Sequence, residues 1–236
     1  MMDTRALETA LPAAGEAVTF AGVPEGMTAP VLADAARLAA RAGRVVLHVA
    51  PADVALARLA AALSFFAPDV PVLRFPAWDC TPYDRTSPSA AIVAQRMAAL
   101  AALAARRETG EAGALIVLTT VNALSQRTAP TAMLEGATLH LRPGMLRAPE
   151  ELAQWLAGQG YERTGTVMGP GEFAQRGGIL DLFAPGADGP VRLDFFGDEL
   201  ESIRRFDIET QRSTRALDAL SLQPAREVVL TDEAIA

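Results

Sequence analysis

Hydrophobic positions in the first half of the chain follow two alternating patterns. One is the spacing of a single apolar helix face, which predicts helices at 30–42, 51–66 and 89–107. The other is a short run rich in β-branched residues, which predicts strands at 44–50, 72–75 and 114–120, with a further strand-like stretch at 18–21. Strands that alternate with helices in this order are typical of a parallel α/β layer.

The pattern becomes mostly β after about residue 130. Apolar runs predict strands at 137–141, 178–183, 191–196, 200–206 and 216–222, and one helix is predicted at 149–158. Along 191–196 apolar residues alternate with Arg192, Asp194 and Phe196, so one face of this strand should be packed and the other should carry charge. The two-residue segment Gly197-Asp198 then predicts a hairpin turn.

These patterns predict an α/β fold of two domains. Residues 1–130 should form a domain around a parallel sheet, and residues 131–212 should form a small antiparallel α+β domain. Residues 213–236 are predicted to begin a segment that returns to the first domain, and the chain then stops without a closing element, as a fragment would.

The composition indicates in which cellular compartment the chain is expected. Half of the residues are hydrophobic, yet no run of about 18 apolar residues without a charge occurs, so no membrane association is expected. The first residues do not resemble a secretory signal, and Cys80 is the only cysteine, which excludes an internal disulfide. A cytoplasmic location is therefore expected.

The basic residues exclude several kinds of chemistry. All 21 are arginine, so the chain has no lysine for a Schiff base, a general base or a phosphate-binding loop. The two histidines, His48 and His140, make no metal-ligand spacing with Cys80. We therefore expect no metal site and no catalytic residue, and the net charge of −7 argues against strong DNA binding that is independent of sequence.

A glycine-containing segment follows the stretch at 18–21. It runs from Gly22 through Gly26 and Met27 to Thr28, one residue shorter than a phosphate-binding loop and with methionine where that loop has lysine. It is interpreted either as an ordinary turn between a strand and a helix or as the remnant of a nucleotide loop without function. Thr28 alone retains a side chain that could serve Mg²⁺.

A proline-rich loop at 76–88 has two interpretations. Trp78 and Tyr83 have the rings that stack on bases, and Arg85 could contact a phosphate. Alternatively the prolines stiffen a long connection and the aromatic rings anchor it to the protein. Asp79 and Asp84 would repel phosphate, which favours the second interpretation.

The β half contains a candidate protein-binding site. Arg176 precedes Gly177-Gly178, where the backbone can turn or approach another segment closely. Arg192 and Phe196 lie four residues apart on a predicted strand and so share a face. Because Phe195 and Phe196 point to opposite faces, one must lie outside the core. An exposed ring beside guanidinium groups is typical of a binding hot spot, although a solvated sheet face with one stray apolar residue would look the same.

Three segments together resemble the bacterial transcription-repair coupling factor family. They are Phe75–Pro88, Glu172–Phe183, and Arg192–Asp207 followed by Thr210–Ser213. The last two are also similar to UvrB, an excision-nuclease subunit, but UvrB carries a long insertion with a DNA-probing hairpin where this chain has only the proline-rich loop. The resemblance runs from about residue 15 to the end of the chain.

The resemblance implies a fold and a partner. It implies that residues 1–130 are a degenerate helicase-like domain and that residues 131–212 bind UvrA. The family's UvrA-contacting positions fall on Arg176, Arg192 and Phe196, with the two arginines offering forked donors to UvrA. It further implies that a C-terminal domain covers this surface in the full-length protein, and that RNA polymerase and double-stranded DNA bind other domains.

The function implied is recruitment of nucleotide excision repair to a stalled RNA polymerase. In that family ATP and Mg²⁺ are used by motor domains that lie outside this chain, so this chain should need no cofactor and should not itself be an enzyme. The alternative is a helicase accessory like UvrB that binds DNA.

Overall fold

The computed structural model describes residues 11–13, 15–80, 87–128 and 138–227. The chain forms two compact units. The first comprises the described residues up to 77 together with 106–126, and the second comprises the described residues within 78–105 and 127–227. The boundary near residue 130 stays a prediction, and it did not anticipate that residues 78–105 join the second unit.

The first unit is built on a three-stranded parallel sheet. Its elements are helix α1 (Thr28–Arg41), strand β1 (Val46–Ala50), helix α2 (Asp53–Phe66), strand β2 (Val72–Phe75), strand β3 (Ile116–Thr120) and the short helix α4 (Val121–Leu124). Helix α3 (Ala90–Thr109) lies between β2 and β3 in the sequence. The strand order is β1-β3-β2, and every residue of the central β3 is buried. The predicted parallel arrangement is therefore confirmed.

The strand-like stretch at 18–21 does not form a strand. Val18 and Phe20 are both nearly half exposed, and no described strand pairs with them. β propensity reflects packing between neighbouring strands, so a short apolar stretch without a neighbour has nothing to stabilise it as a strand. The prediction for these residues was wrong.

The second unit contains a larger sheet and a helix that covers it. Its elements are strand β4 (Leu139–Leu141), helix α5 (Pro149–Gly158), and strands β5 (Glu162–Arg163), β6 (Glu172–Arg176), β7 (Ile179–Leu182), β8 (Val191–Phe196), β9 (Glu199–Phe206), β10 (Ser213–Leu217) and β11 (Leu220–Leu222). Six strands pair in the order β10-β9-β8-β7-β6-β5, antiparallel except for β5 with β6. Strand β11 pairs with β4.

The segment that was expected to return to the first domain belongs to the second unit throughout its described part, residues 213–227. Strand β10 extends the six-stranded sheet beside β9, and β11 pairs antiparallel with β4. Leu217, Leu220 and Leu222 pack on the core of the second unit, which explains why the chain stays there. Residues 228–236 lie outside the described ranges.

One face of the six-stranded sheet forms the core of the second unit. Leu152 and Leu156 of α5 pack against it. The sheet residues in this core alternate along each strand, except in β9, where a shift in the pairing with β8 puts Leu200 and Ile203 on the same face. They are Phe173, Leu180, Leu182, Val191, Leu193, Leu200 and Ile203. The opposite face carries the alternate residues, as the pattern along β8 predicted.

No helix within the described ranges is both long enough and apolar enough to cross a lipid bilayer.

A buried ion pair ties α3 to the last described residues. Arg96 is completely buried, and its guanidinium donates through Nε and Nη2 to the two carboxylate oxygens of Glu227, which is itself 4% exposed. The Trp78 ring lies 4.3 Å from the guanidinium carbon. All three residues belong to the second unit. The pair helps to explain why residues 78–105 join that unit.

Replacing Glu227 with Ala should therefore destabilise the second unit strongly. The change leaves the buried Arg96 charge without its carboxylate, which typically costs roughly 3 kcal/mol or more. Urea unfolding followed by circular dichroism measures the loss. Glu209→Ala, on an exposed turn, is the control and should change little. Equal stability of the two variants would contradict a structural role for the pair.

Candidate protein-interaction surface

Two tight hairpins position the candidate residues at one end of the six-stranded sheet. Strands β6 and β7 turn at Gly177-Gly178, and strands β8 and β9 turn at Gly197-Asp198. Gly177 and Gly197 both have φ of 58°, a region that glycine adopts without strain. A side chain on Gly178 would place its Cβ 2.7 Å from the carbonyl oxygen of Phe195, so this position needs glycine as well.

The strand register brings the three predicted residues to the outer face. Arg176 lies opposite Ile179, and Ile179 lies opposite Asp194. Arg192 and Phe196 lie two residues before and after Asp194 on β8. Since paired residues and alternate residues share a face, Arg176, Arg192 and Phe196 all lie on the face opposite the core. The prediction that Arg192 and Phe196 share a face is confirmed.

Phe196 is a large, highly exposed apolar side chain of this face. It is 76% exposed, whereas its neighbour Phe195 is partly buried and packs on the core. The prediction that one of these rings lies outside the core is therefore confirmed. An exposed ring held on a paired strand can be buried by a partner at a small cost in conformational entropy.

Arg176 ends strand β6 with its side chain in solvent. Within the described part of the chain, no hydrogen bond or ion pair engages its guanidinium. Ile179, its cross-strand neighbour, is 40% exposed. Arg176 therefore presents five unused N–H donors beside an apolar side chain, which suits recognition of a carboxylate or a carbonyl.

Arg192 is engaged within the protein. Its Nε donates to Asp181 Oδ1 at 2.6 Å and its Nη2 donates to Asp181 Oδ2 at 2.8 Å, while Nη1 reaches the carbonyl oxygen of Gln211 at 3.3 Å. The guanidinium carbon lies 5.0 Å from the centre of the Phe206 ring. Only 19% of the Arg192 side chain is exposed, and 3% of that of Asp181.

This geometry corrects the expectation that both arginines offer forked donors to a partner. The Nε and Nη2 donors of Arg192 already bind the Asp181 carboxylate. These hydrogen bonds raise the pKa of the guanidinium above its ordinary value. Arg192 therefore remains charged and holds β7, β8 and the segment at Gln211 together. Of these two arginines, Arg176 is the one whose guanidinium donors have no partner among the described residues.

Two further groups complete the charge pattern of the face. Ser202 donates its hydroxyl to Asp194 at 2.7 Å, and Arg204 Nε lies 3.9 Å from the same carboxylate oxygen. Asp194 is thus covered by donors from β9. The centre of the face consists of paired charges, and its hairpin end carries the exposed Phe196 and Arg176.

Sequence reasoning missed several residues of this surface. Asp181 was read as part of one apolar run, although it alternates with Leu180 and Leu182 and so had to face away from the core. Exposed Ile179 lay in the same run. Leu146 was missed because it lies in a loop, where no periodicity marks a face. It is 79% exposed and lies directly opposite Glu199 of β9.

The other sequence candidates lie elsewhere. Trp78 packs on Arg96, which favours the anchoring interpretation of the proline-rich loop, while Tyr83, Asp84 and Arg85 lie outside the described residues. Asp79 accepts the Ser89 backbone N–H at 3.0 Å just before α3, and hydrogen bonds from the side chain and then the backbone of Ser89 lower the pKa of its carboxyl. Cys80 is a partly exposed free thiol.

The glycine segment does not connect a strand to a helix. Gly22 has φ of 72°, Glu25–Met27 form one turn of 3₁₀ helix, and α1 begins at Thr28. No described strand precedes the segment, so its interpretation as a turn between a strand and a helix was wrong. The loss of nucleotide binding at Gly22, Gly26, Met27 and Thr28 stays a prediction.

A cavity of about 610 Å³ within the second unit has acidic residues in its wall. Two of its glutamates have structural partners: Glu172 accepts the backbone N–H groups of Met168 and Gly169, and Glu227 pairs with Arg96. Among the described residues, no group of three or more His, Cys, Asp or Glu side chains could hold a metal ion.

The anchoring role of Asp181 can be tested by removing its carboxylate. Asp181→Ala leaves a largely buried guanidinium without its partner, so we expect a loss of about 2–3 kcal/mol in the free energy of unfolding. Asp188→Ala removes an ion pair whose carboxylate is almost fully exposed, and it should cost under about 0.5 kcal/mol. Chemical denaturation measures both; equal losses would refute the distinction.

Comparison with known proteins connects this surface to a family. Residues 139–228 match the family model of the UvrB interaction domain. These residues span the six-stranded sheet, α5 and the β4–β11 pair, and therefore all three predicted site residues.

Over most of its length the chain is also similar to proteins named transcription-repair-coupling factor. It is 40% identical to that of Myxococcus xanthus over 93% of this chain and 18% of the relative. It is 39% identical to that of Escherichia coli K12 over 79% of this chain and 16% of the relative. It is 33% identical to that of Haemophilus influenzae over 99% of this chain and 18% of the relative.

The chain thus spans less than a fifth of the length of these relatives. The resemblance to transcription-repair coupling factors inferred from three short segments is confirmed across most of the chain, and residues 139–228 match the UvrB interaction domain family.

Proposed function

We propose that this chain is the UvrB-homology module of a transcription-repair coupling factor and that it binds UvrA through the outer face of its six-stranded sheet. Binding would recruit nucleotide excision repair to a stalled RNA polymerase. The observation that carries the proposal is Phe196, a ring that is 76% exposed on a domain of the UvrB interaction family.

The roles of the three residues follow from their environments. Phe196 supplies apolar area that a partner would remove from water, and Arg176 supplies a forked donor for a carboxylate or carbonyl on UvrA. Arg192 acts as a framework residue: its pair with Asp181 fixes the strand from which Phe196 projects. Binding therefore needs no bound nucleotide, metal or reaction step in this chain.

Catalysis is assigned to other parts of such a protein. The chain has no lysine, and position 27 is Met where a phosphate-binding loop needs lysine. We propose that ATP hydrolysis, RNA polymerase binding and DNA translocation belong to regions beyond these 236 residues. In such a longer protein, a C-terminal domain would cover the outer face until UvrA is needed.

Arg176→Ala and Phe196→Ala should each weaken binding to purified UvrA. Loss of a central hot-spot side chain costs about 2 kcal/mol, or roughly thirtyfold in the dissociation constant. The matched controls are Arg58→Ala and Phe65→Ala, which make the same changes at exposed positions of α2 in the first unit.

Isothermal titration measures the affinities, and circular dichroism verifies that each variant is folded. Wild-type affinity in both Arg176→Ala and Phe196→Ala would refute the assignment. So would equal weakening by the α2 controls.

The chain should give no shifted band with duplex DNA at physiological salt. Binding that is independent of sequence requires cations that neutralise phosphates, whereas this chain carries a net charge of −7 and pairs several of its arginines internally. An electrophoretic mobility assay across salt concentrations tests this. A stable complex at about 150 mM salt would favour a DNA-binding accessory like UvrB.

A further inference from the structure

The loop that follows β4 acts as an additional strand at the edge of the six-stranded sheet. Three backbone hydrogen bonds hold it to β9: Gly144 N–H to the Leu200 carbonyl at 2.8 Å, Leu200 N–H to the Met145 carbonyl at 2.9 Å, and Arg147 N–H to the Asp198 carbonyl at 2.7 Å. Leu146 lies at the centre of these bonds. Its backbone position is therefore fixed, although its side chain is in solvent.

The register places Leu146 in one row with Phe196. Leu146 lies opposite Glu199, and Glu199 lies opposite Phe196 on β8. Residues directly opposite each other project from the same face, so the row Leu146–Glu199–Phe196 crosses three strands at the hairpin end of the sheet. With strands about 4.8 Å apart, the two apolar residues are separated by roughly 10 Å.

These two side chains are unusual for their exposure. Leu146 is 79% exposed and Phe196 76% exposed, on positions that the backbone holds rigidly. A partner that covers Phe196 and reaches two strand spacings further covers Leu146 too. Apolar anchors on a fixed backbone lose little conformational freedom on binding, so they are efficient contact points.

We propose that Leu146 is a second apolar anchor of the outer face, which together with Phe196 inserts into one apolar groove on UvrA. This inference rests on the proposed function and extends its site by a strand. The same geometry specifies the groove's chemistry. A cationic side chain should meet Glu199 between the two anchors, and a carboxylate or carbonyl should meet Arg176 two strands from Phe196.

Titration of UvrA with Leu146→Ala tests the proposal. We expect the dissociation constant to rise at least about tenfold, a typical cost of truncating a buried interface anchor. Leu124→Ala makes the same change at another exposed leucine, which is 54% exposed on α4 in the first unit, and should bind like the wild type. Leu146 is exposed, so its replacement should leave the circular dichroism and thermal midpoint unchanged.

The outcomes separate this inference from the proposed function. If Phe196→Ala weakens binding and Leu146→Ala does not, Leu146 is no anchor while UvrA binding stands. If the wild-type chain fails to bind UvrA, both proposals fall.

A second copy of the chain is the competing occupant of this row. Sedimentation velocity over a range of concentrations tests it. A wild-type dimer that Leu146→Ala converts to a monomer, with unchanged affinity for UvrA, would assign the row to self-association and overturn the inference.

Discussion

The pleat of strand β8 is the constraint on which both the core and the candidate surface depend. Leu193 and Phe195 point to the core, so Arg192, Asp194 and Phe196 must point away from it. A slip of one residue in the register would bury two charges and expose the core. The ladders to β7 and β9 oppose that slip, because they match Leu193 with Leu180 and Ile203 on the core face and Arg192 with Asp181 on the opposite face. The packing of the core and the position of the candidate surface are thus fixed by the same hydrogen bonds.

Some charged side chains of the outer face are paired within the protein, and others are exposed to solvent. At its centre, Arg192 is bound to Asp181, and Asp194 is covered by Ser202 and Arg204. Charges satisfied in this way stabilise the strand register but have little left to offer a partner. At the hairpin end, Arg176 and Phe196 are exposed on backbone that the turns hold in place. The hairpin end thus carries the side chains of this face that stay exposed to solvent.

The units defined by contact are not the domains suggested by sequence order. The buried pair of Arg96 with Glu227 joins residues that are 131 positions apart, and it contributes to placing most of α3 in the second unit. The same unit contains the UvrB interaction domain match at residues 139–228. A boundary drawn near residue 130 from the change of pattern would therefore separate Arg96 from its carboxylate. Such a cut would leave a buried charge without a partner, which is costly in a low-dielectric interior.

The pattern of apolar residues by itself determined most of the secondary structure, including the helix at 149–158. It also determined that the strands of the first sheet are parallel and which residues of β8 share a face. Each of these depends on local spacing, which the sequence contains directly. The strand at 172–176 was not predicted because Glu-Phe-Ala-Gln-Arg does not alternate, and the strand at 18–21 did not form because nothing pairs with it. Only the tertiary structure decided which charges are free. Contacts between segments distant in sequence pair Arg192 with Asp181 and place Leu146 in one row with Phe196, while the Arg176 side chain stays in solvent. Such contacts leave no periodic signal along the chain.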